Sequence, residues 1–158
     1  RLVSRAPYVV ETQMGVPHVG TERELHAAGK RWRYVPVSLG NPHALIFTSD
    51  LESIDLATAG PAIETHPNFP GGANVHFVRV VDRSHLRVLH WERGAGATKA
   101  CGTGIVASAA AAIVNKLAAS PLTVDVPGGT LVVRWEGRGE ATLIGPVERT
   151  GERDLVLT

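Results

Sequence analysis

The stretch KACGTGIVASAAAAIVNKLAA, Lys99–Ala119, decides the fold. It predicts a helix over about Thr103–Ala119 whose residues are apolar on every face until Asn115 and Lys116. A helix without a polar face has to be buried all round. At about 16 residues, with Ser108 and flanking glycines, it falls short of the roughly 20 strongly apolar residues that a membrane span requires. Its small side chains let surrounding backbone approach closely. The expected architecture is therefore α+β, a curved antiparallel-rich β-sheet or barrel wrapped around one central apolar helix.

The flanking sequence supplies the strands. Val9–Met14, Tyr34–Ser38 and Ala44–Phe47 cluster or alternate apolar and β-branched residues. The first two run into a similar punctuation, MGVPHV (14–19) and LGNPHA (39–44), an echo that fits either two common turns or an architectural repeat. Thr21–Arg31 is polar and reads as a surface loop or a short turn of helix. Thr48-Ser49-Asp50 offers N-caps to a helix carrying Leu51, Ile54 and Leu56, which Gly60-Pro61 is expected to break, with a second turn over Ala62–Thr65. Asn74–Val81 and His85–Trp91 read as a hairpin. Leu122–Val126, Gly129–Trp135 and Ala141–Ile144 form a second meander, and Asp154–Leu157 is a last strand.

Composition excludes several classes of function. The chain of 158 residues suits one domain, and 44% apolar with 20% charged residues reads as soluble and globular. A formal charge of +1 with scattered Arg and Lys gives no footprint for nucleic acid or an acidic membrane surface. A single cysteine rules out an internal disulfide framework and any multi-cysteine zinc site, and fits a reducing, cytoplasmic setting. No basic segment followed by an apolar stretch opens the chain, so no signal peptide is expected. The sequence starts Arg1-Leu2-Val3 and its one methionine is Met14, so the expectation is a removed leader or a part of a longer protein.

That single cysteine opens the apolar helix. The first backbone N–H groups of a helix have no intrahelical partner, and the macrodipole adds partial positive charge there. A thiolate or a bound carboxylate is stabilised at such an end. Gly102 and Gly104 uncover those amides, and Thr103 can cap the helix or bond a ligand. A buried space-filling Cys101 beside a tight turn fits the same residues equally well. Upstream, Glu92 and Arg93 end a strand. They suit the ammonium and carboxylate of an amino acid, though an exposed ion pair is the default reading of an isolated Glu-Arg. The Gly94-Ala95-Gly96 turn lacks the third glycine of a dinucleotide loop. Asn41 and His43 bring a donor-acceptor amide and a proton relay to the turn after a strand, and Asn74 puts a second amide at a strand start. Either asparagine alone is also an ordinary turn residue. The remaining histidines (His18, His26, His66, His76, His85 and His90) have no metal-ligand spacing and read as surface or strand residues, so no metal is implied.

Taken together, VSLGNPHA (37–44), GGANVHFV (71–78), WERGAGATKACGTG (91–104), DVPGGTLVVRW (125–135) and the GPV at Gly145 closely resemble the C-terminal half of diaminopimelate epimerase. The resemblance runs from about Tyr8 to the end, and the ERGxGxTxACGTG block is its most specific part. It implies a diaminopimelate-epimerase-like lobe and a cofactor-independent inversion of an amino-acid α-carbon between two cysteines, interconverting LL- and meso-diaminopimelate without pyridoxal phosphate. By motif, Cys101 is one of those bases. Glu92 assists its proton chemistry and contacts substrate, and Arg93 holds a carboxylate. Asn41 and Asn74 bond amino-acid groups, His43 supports the opposite cysteine, and the Gly102 and Thr103 amides receive the α-carboxylate.

The family places its other cysteine in an N-terminal lobe, and this sequence has no second cysteine. The resemblance therefore divides the chain into residues 1–24 as strands left from a mostly missing first lobe, 25–146 as the second lobe, and 147–158 as a tail returning toward the first. A truncated sheet edge would favour pairing of chains as a homodimer. The competing expectation is a non-catalytic lobe of the same fold that binds small carboxylates.

Overall fold

The computed structural model describes residues 1–5, 7–148 and 151. The first element of note is helix α2, Gly102–Val114, which is buried continuously from Gly104 to Ala112. It ends five residues before the sequence-expected Ala119. Asn115 Nδ2 donates to the Ala111 carbonyl at 2.8 Å, and Lys116 turns into the left-handed region with φ 60°. The Lys116 N–H then returns to Ile113 O and the Leu117 N–H to Ala112 O, the paired bonds of a Schellman ending.

Among the described residues, twelve strands form one sheet around this helix. They are β1 (Leu2–Arg5), β2 (Tyr8–Gln13), β3 (His18–Val19), β4 (Arg23–Ala27), β5 (Lys30–Ser38), β6 (Pro42–Phe47), β7 (Asn74–Asp82), β8 (His85–Glu92), β9 (Gly96–Thr98), β10 (Leu122–Val126), β11 (Gly129–Arg134) and β12 (Thr142–Pro146). Helix α1, Leu56–Glu64, joins β6 to β7. The strand order is β1-β2-β12-β11-β10-β8-β7-β6-β5-β3, with β4 on β5 and β9 on β8. The sheet is open, ending at β1 and β3, and α2 contacts strands from β3 near one end of the order to β12 near the other. The expected α+β lobe wrapped around an apolar helix is what the chain forms.

Two pairings are parallel, β6 with β7 through α1 and β8 with β10 through α2. Both crossovers step the same way along the sheet, yet β8 runs antiparallel to β7. Right-handed connections then place the two helices on opposite faces. Two cores result. Leu45, Val78, Leu86 and Val88 face α2, while Ala44, Ile46, Val75 and Phe77, alternating with them, lie in the cluster that includes Ala59 and Ile63 of α1.

Three local expectations differ from the structure. Thr21–Arg31 is not a loop or helical turn: β4 and β5 form a hairpin there, closed at Ala28-Gly29. Only Leu25 and Ala27 carry an apolar signal in β4, too little to show alternation. The helix after Asp50 starts later than Leu51, because Asp50 caps a turn through the Glu52 N–H and Asp55 caps α1 through the Thr58 N–H. Gly60-Pro61 lies inside α1 rather than breaking it. Gly60 is there for close approach, since a Cβ on it would run into the Trp91 ring. The two echoed turns do share a backbone: Gly15 and Gly40 are both left-handed, at φ 83° and 86°, and they lead into β3 and β6 on opposite edges of β5. The Asp154–Leu157 strand and most of the 147–158 tail lie outside the described residues.

Close approach is a stability statement that can be checked. Gly60→Ala forces the new methyl against Trp91 and is expected to cost roughly 1–3 kcal/mol of unfolding free energy in urea titrations. An exposed control, Gly137→Ala, adds a methyl in open space at a left-handed residue and should cost about 1 kcal/mol.

Candidate functional site

Cys101 is the N-cap of α2, extended at φ −134° and ψ 106°, with its carbonyl accepting the Ile105 N–H at 2.8 Å. Its side chain does not cap the helix; the sulfur lies 3.7 Å from Thr103 Oγ1. Burial pushes the thiol above its ordinary value. The Gly104 N–H and the Thr103 hydroxyl pull it down, and the Glu92 carboxylate pushes it up again. The helix-end amide favours the thiolate, as expected, but desolvation outweighs it and the net direction is upward.

The turn before β6 reaches this end of the helix. Asn41 Nδ2 donates to Thr103 Oγ1 at 3.4 Å, and Asn41 Oδ1 lies 2.9 Å from His43 Nε2. His43 Nδ1 lies 2.9 Å from His76 Nε2, and His76 Nδ1 lies 2.8 Å from His90 Nδ1. All three imidazoles are buried beneath α2, one each on β6, β7 and β8. The register produces the ladder, because His76 pairs directly with His90 and stands opposite Leu45 in the parallel pairing with β6. Gly104 makes room for it, since a Cβ there would enter the His76 ring. His76 and His90 are strand residues, as their spacing suggests, but they are interior ones joined to the site. Sequence reading attaches neither of them to His43, because the link is a matter of strand register.

Glu92 and Arg93 stand at the end of β8. They make no ion pair with each other among the described residues, so the exposed-pair reading gives way. Arg93 Nη1 donates to Gly71 O at 3.1 Å, while its backbone N–H donates to Asn74 Oδ1 at 3.0 Å. Asn74 Nδ2 in turn donates to Pro42 O at 3.1 Å. Asn74 thus ties the Arg93 turn to the Asn41–His43 turn. Glu64 was not singled out from the sequence. Its carboxylate accepts from Trp91 Nε1 at 2.7 Å and from the Gly94 N–H at 2.9 Å, clamping the turn that carries Glu92 and Arg93. An acid on the last residue of α1 opposes the helix dipole, and that misfit was the available signal.

The structure thus gathers Cys101, Thr103, Asn41 and His43 into one hydrogen-bonded group beside Glu92, with Asn74 and Arg93 joined to it through backbone. Gly102 and Thr103 form the first turn of α2, where helix N–H groups lack intrahelical partners. Gly102 is flanked by Met14 and Leu143. A groove of about 280 Å³ borders His43, lined also by His18, Tyr34, Pro36 and Asn68. Among the described residues no helix is long and apolar enough to cross a membrane.

Burial, with a smaller contribution from His90, holds His43 at a pKa of about 4, and burial likewise holds His90 at about 4. His76, fully enclosed between them, lies well below its ordinary value. In the unfolded chain these groups protonate near 6.5, so the unfolded state binds more protons between roughly 4 and 6.5. Their stabilising contribution is fully present above pH 6.5 and is lost as the pH falls toward 4, on the order of 3 kcal/mol for each of His43 and His90. Urea midpoints should fall continuously across that window; a flat profile from pH 6.5 to 4 would contradict neutral, buried imidazoles.

A family model described as diaminopimelate epimerase matches residues 35–150, which contain Asn41, His43, Glu64, Asn74, His76, His90, Glu92, Arg93 and Cys101–Gly104. The diaminopimelate epimerase of Acaryochloris marina is 44% identical over 126 residues, covering 79% of this chain and 44% of the relative. That of Pseudomonas syringae pv. tomato is 45% identical over 134 residues, covering 84% and 49%. The chain spans about half the length of the relatives it matches. Among solved structures, a probable proline racemase from Agrobacterium radiobacter K84 superposes with a TM-score of 0.71 at 18% identity, over 95% of this chain and 54% of that one. A hydroxyproline epimerase from Agrobacterium vitis does so at 0.64 and 18%, over 87% and 50%. At such identity the superpositions speak for the fold, while the family model and the relatives speak for descent. The chain belongs to the diaminopimelate epimerase family.

Proposed function

We propose that the chain supplies one face of the active site of a cofactor-independent epimerase that interconverts LL- and meso-diaminopimelate, with Cys101 as the acid-base group on that face. The observation that carries this reading is a buried thiol at the N-cap of α2, with a hydroxyl at 3.7 Å and a carboxylate beside it, its pKa raised by burial. A thiol that rests protonated is ready to act as a general acid. In one direction the opposite base takes the α-proton and Cys101 S–H delivers a proton to the other face of the carbon, leaving a thiolate. In the reverse direction that thiolate takes the proton back.

The carbanionic intermediate needs its α-carboxylate held by donors, a role that suits the Gly102 and Thr103 amides. Arg93 suits the carboxylate of the distal amino-acid group, oriented by Asn74 and the Glu64 clamp. Asn41 bonds a substrate amino group or carboxylate only by sharing its amide with Thr103 and His43. His43, neutral and buried, supports the site from behind. The sequence has one cysteine, so the opposite base comes from polypeptide outside these 158 residues. On this reading 25–146 are the second lobe, whose sheet the strands of residues 1–24 continue toward the first lobe, and 147–158 return to the first, in a cytoplasmic biosynthetic enzyme.

The test is solvent deuterium exchange at Cα of diaminopimelate. The 158-residue chain alone should exchange no faster than buffer, and joined to a family N-terminal lobe it should exchange and invert. Cys101→Ala in the joined protein should lower turnover by about 10²–10⁴-fold, the usual worth of a general acid-base group. Rapid exchange by the lone chain would refute the divided site. Tight, stereoselective binding in calorimetry, without turnover in the joined protein, would replace it by a carboxylate-binding lobe.

A further inference from the structure

The three buried imidazoles are more elaborate than support for His43 requires. Their nitrogens meet in pairs, 2.9 Å and 2.8 Å apart, rather than converging on a point, and among the described residues no group of His, Cys, Asp and Glu is arranged to hold a metal ion. A neutral imidazole has one N–H and one lone pair. Each contact in the row needs one of each, so all the protons must lie on the same side of their contacts. The row therefore has a direction, and only two directions exist.

If the protons point toward Cys101, His90 Nδ1–H donates to His76 Nδ1 and His76 Nε2–H to His43 Nδ1. His43 Nε2–H then donates to Asn41 Oδ1, Asn41 Nδ2–H to Thr103 Oγ1, and the Thr103 hydroxyl is left to donate to the Cys101 sulfur. If they point away, the Asn41 amide must be flipped, its Nδ2 donating to His43 Nε2 and its Oδ1 accepting the Thr103 hydroxyl, and the row ends in an N–H on His90 Nε2. That atom is buried and among the described residues has no hydrogen-bond partner, and the same holds for Thr98 Oγ1 on the residue paired with His90 across β8 and β9. A buried, unpaired N–H is rarer and costlier than an unpaired lone pair. The first direction is the one that leaves only a lone pair there.

We infer that His76 and His90 are positioning residues which fix His43 in its Nε2–H tautomer and, through Asn41 and Thr103, aim a hydroxyl donor at the Cys101 sulfur. The row favours the thiolate, against the desolvation and the Glu92 charge that favour the thiol. Glu92 is also the charged group felt by His43 and His90, from the end of β8. The balance lets one buried sulfur serve as both acid and base. This use of the row rests on the reading of Cys101 as an acid-base group, whereas its direction does not.

The direction is read by nitrogen NMR of the ¹⁵N-histidine-labelled chain at pH 7, which distinguishes a protonated from a bare ring nitrogen. Protons on His43 Nε2, His76 Nε2 and His90 Nδ1 are expected; a proton on His43 Nδ1 overturns the inference. Its effect is read by the pH profile of Cys101 alkylation with iodoacetamide. His90→Leu removes the first donor and should move the profile upward, slowing alkylation at pH 8 roughly two- to fivefold. His90→Asn, whose amide nitrogen can stand where Nδ1 does, should restore the rate. Superimposable profiles for the wild type and His90→Leu would also overturn it. Should His90→Leu not fold, the wild-type spectrum decides. Neither readout uses substrate, so failure of the epimerase reading would show separately, in deuterium exchange.

Discussion

A helix without a polar face has to be covered from every direction, and the architecture follows from that constraint. Nine consecutive residues of α2 are buried, most of them alanine, so the sheet comes close and side chains from many strands reach its axis. A single sheet can do this only by curving. The cover comes from strands drawn from both ends of the chain, β3, β5 and β6 on one side and β10, β11 and β12 on the other. The second helix cannot share that space. The opposed strand directions at its crossover send it to the outer face, where it holds Trp91 and the turn beyond it.

The same burial governs the chemistry. A helix N-terminus offers amides to an anion, yet at Cys101 the loss of water outweighs them. What remains is a competition on one sulfur between groups that favour its proton and groups that favour losing it. Beneath it, three imidazoles are kept neutral by enclosure, and Gly104 keeps helix and row in contact.

The class of fold was legible because α2 is an extreme case: apolar periodicity on all faces admits few arrangements. The hairpin of β7 and β8 and the meander of β10 to β12 were legible for the same reason, through alternation and turn residues. β4 was hidden because only one of its residues is fully buried, and α1 because Gly60 and Pro61 look like breakers where Trp91 packing overrides propensity. Cys101, Glu92, Asn41 and His43 could be named from motif and helix position. Glu64, His76 and His90 could not be assigned, since their partners lie on other elements and pairing register is not written in local sequence. Nor could the direction of the Cys101 shift be read, because a one-dimensional pattern shows the helix end but not how much water is excluded from it.

The pairing of β2 with β12 has a consequence for assembly. Tyr8–Gln13 pairs with Thr142–Pro146, closing a loop of about 130 residues whose entropic cost grows only slowly with length but falls on folding rate. β6, α1, β7, β8 and their hairpin contacts need no such closure and can form locally. Met14 and Leu143, which flank Gly102, come from the two segments that join last. The side chains over the first turn of α2 thus depend on this long-range closure, whereas His43, His76 and His90 stand on strands that pair with near neighbours in sequence.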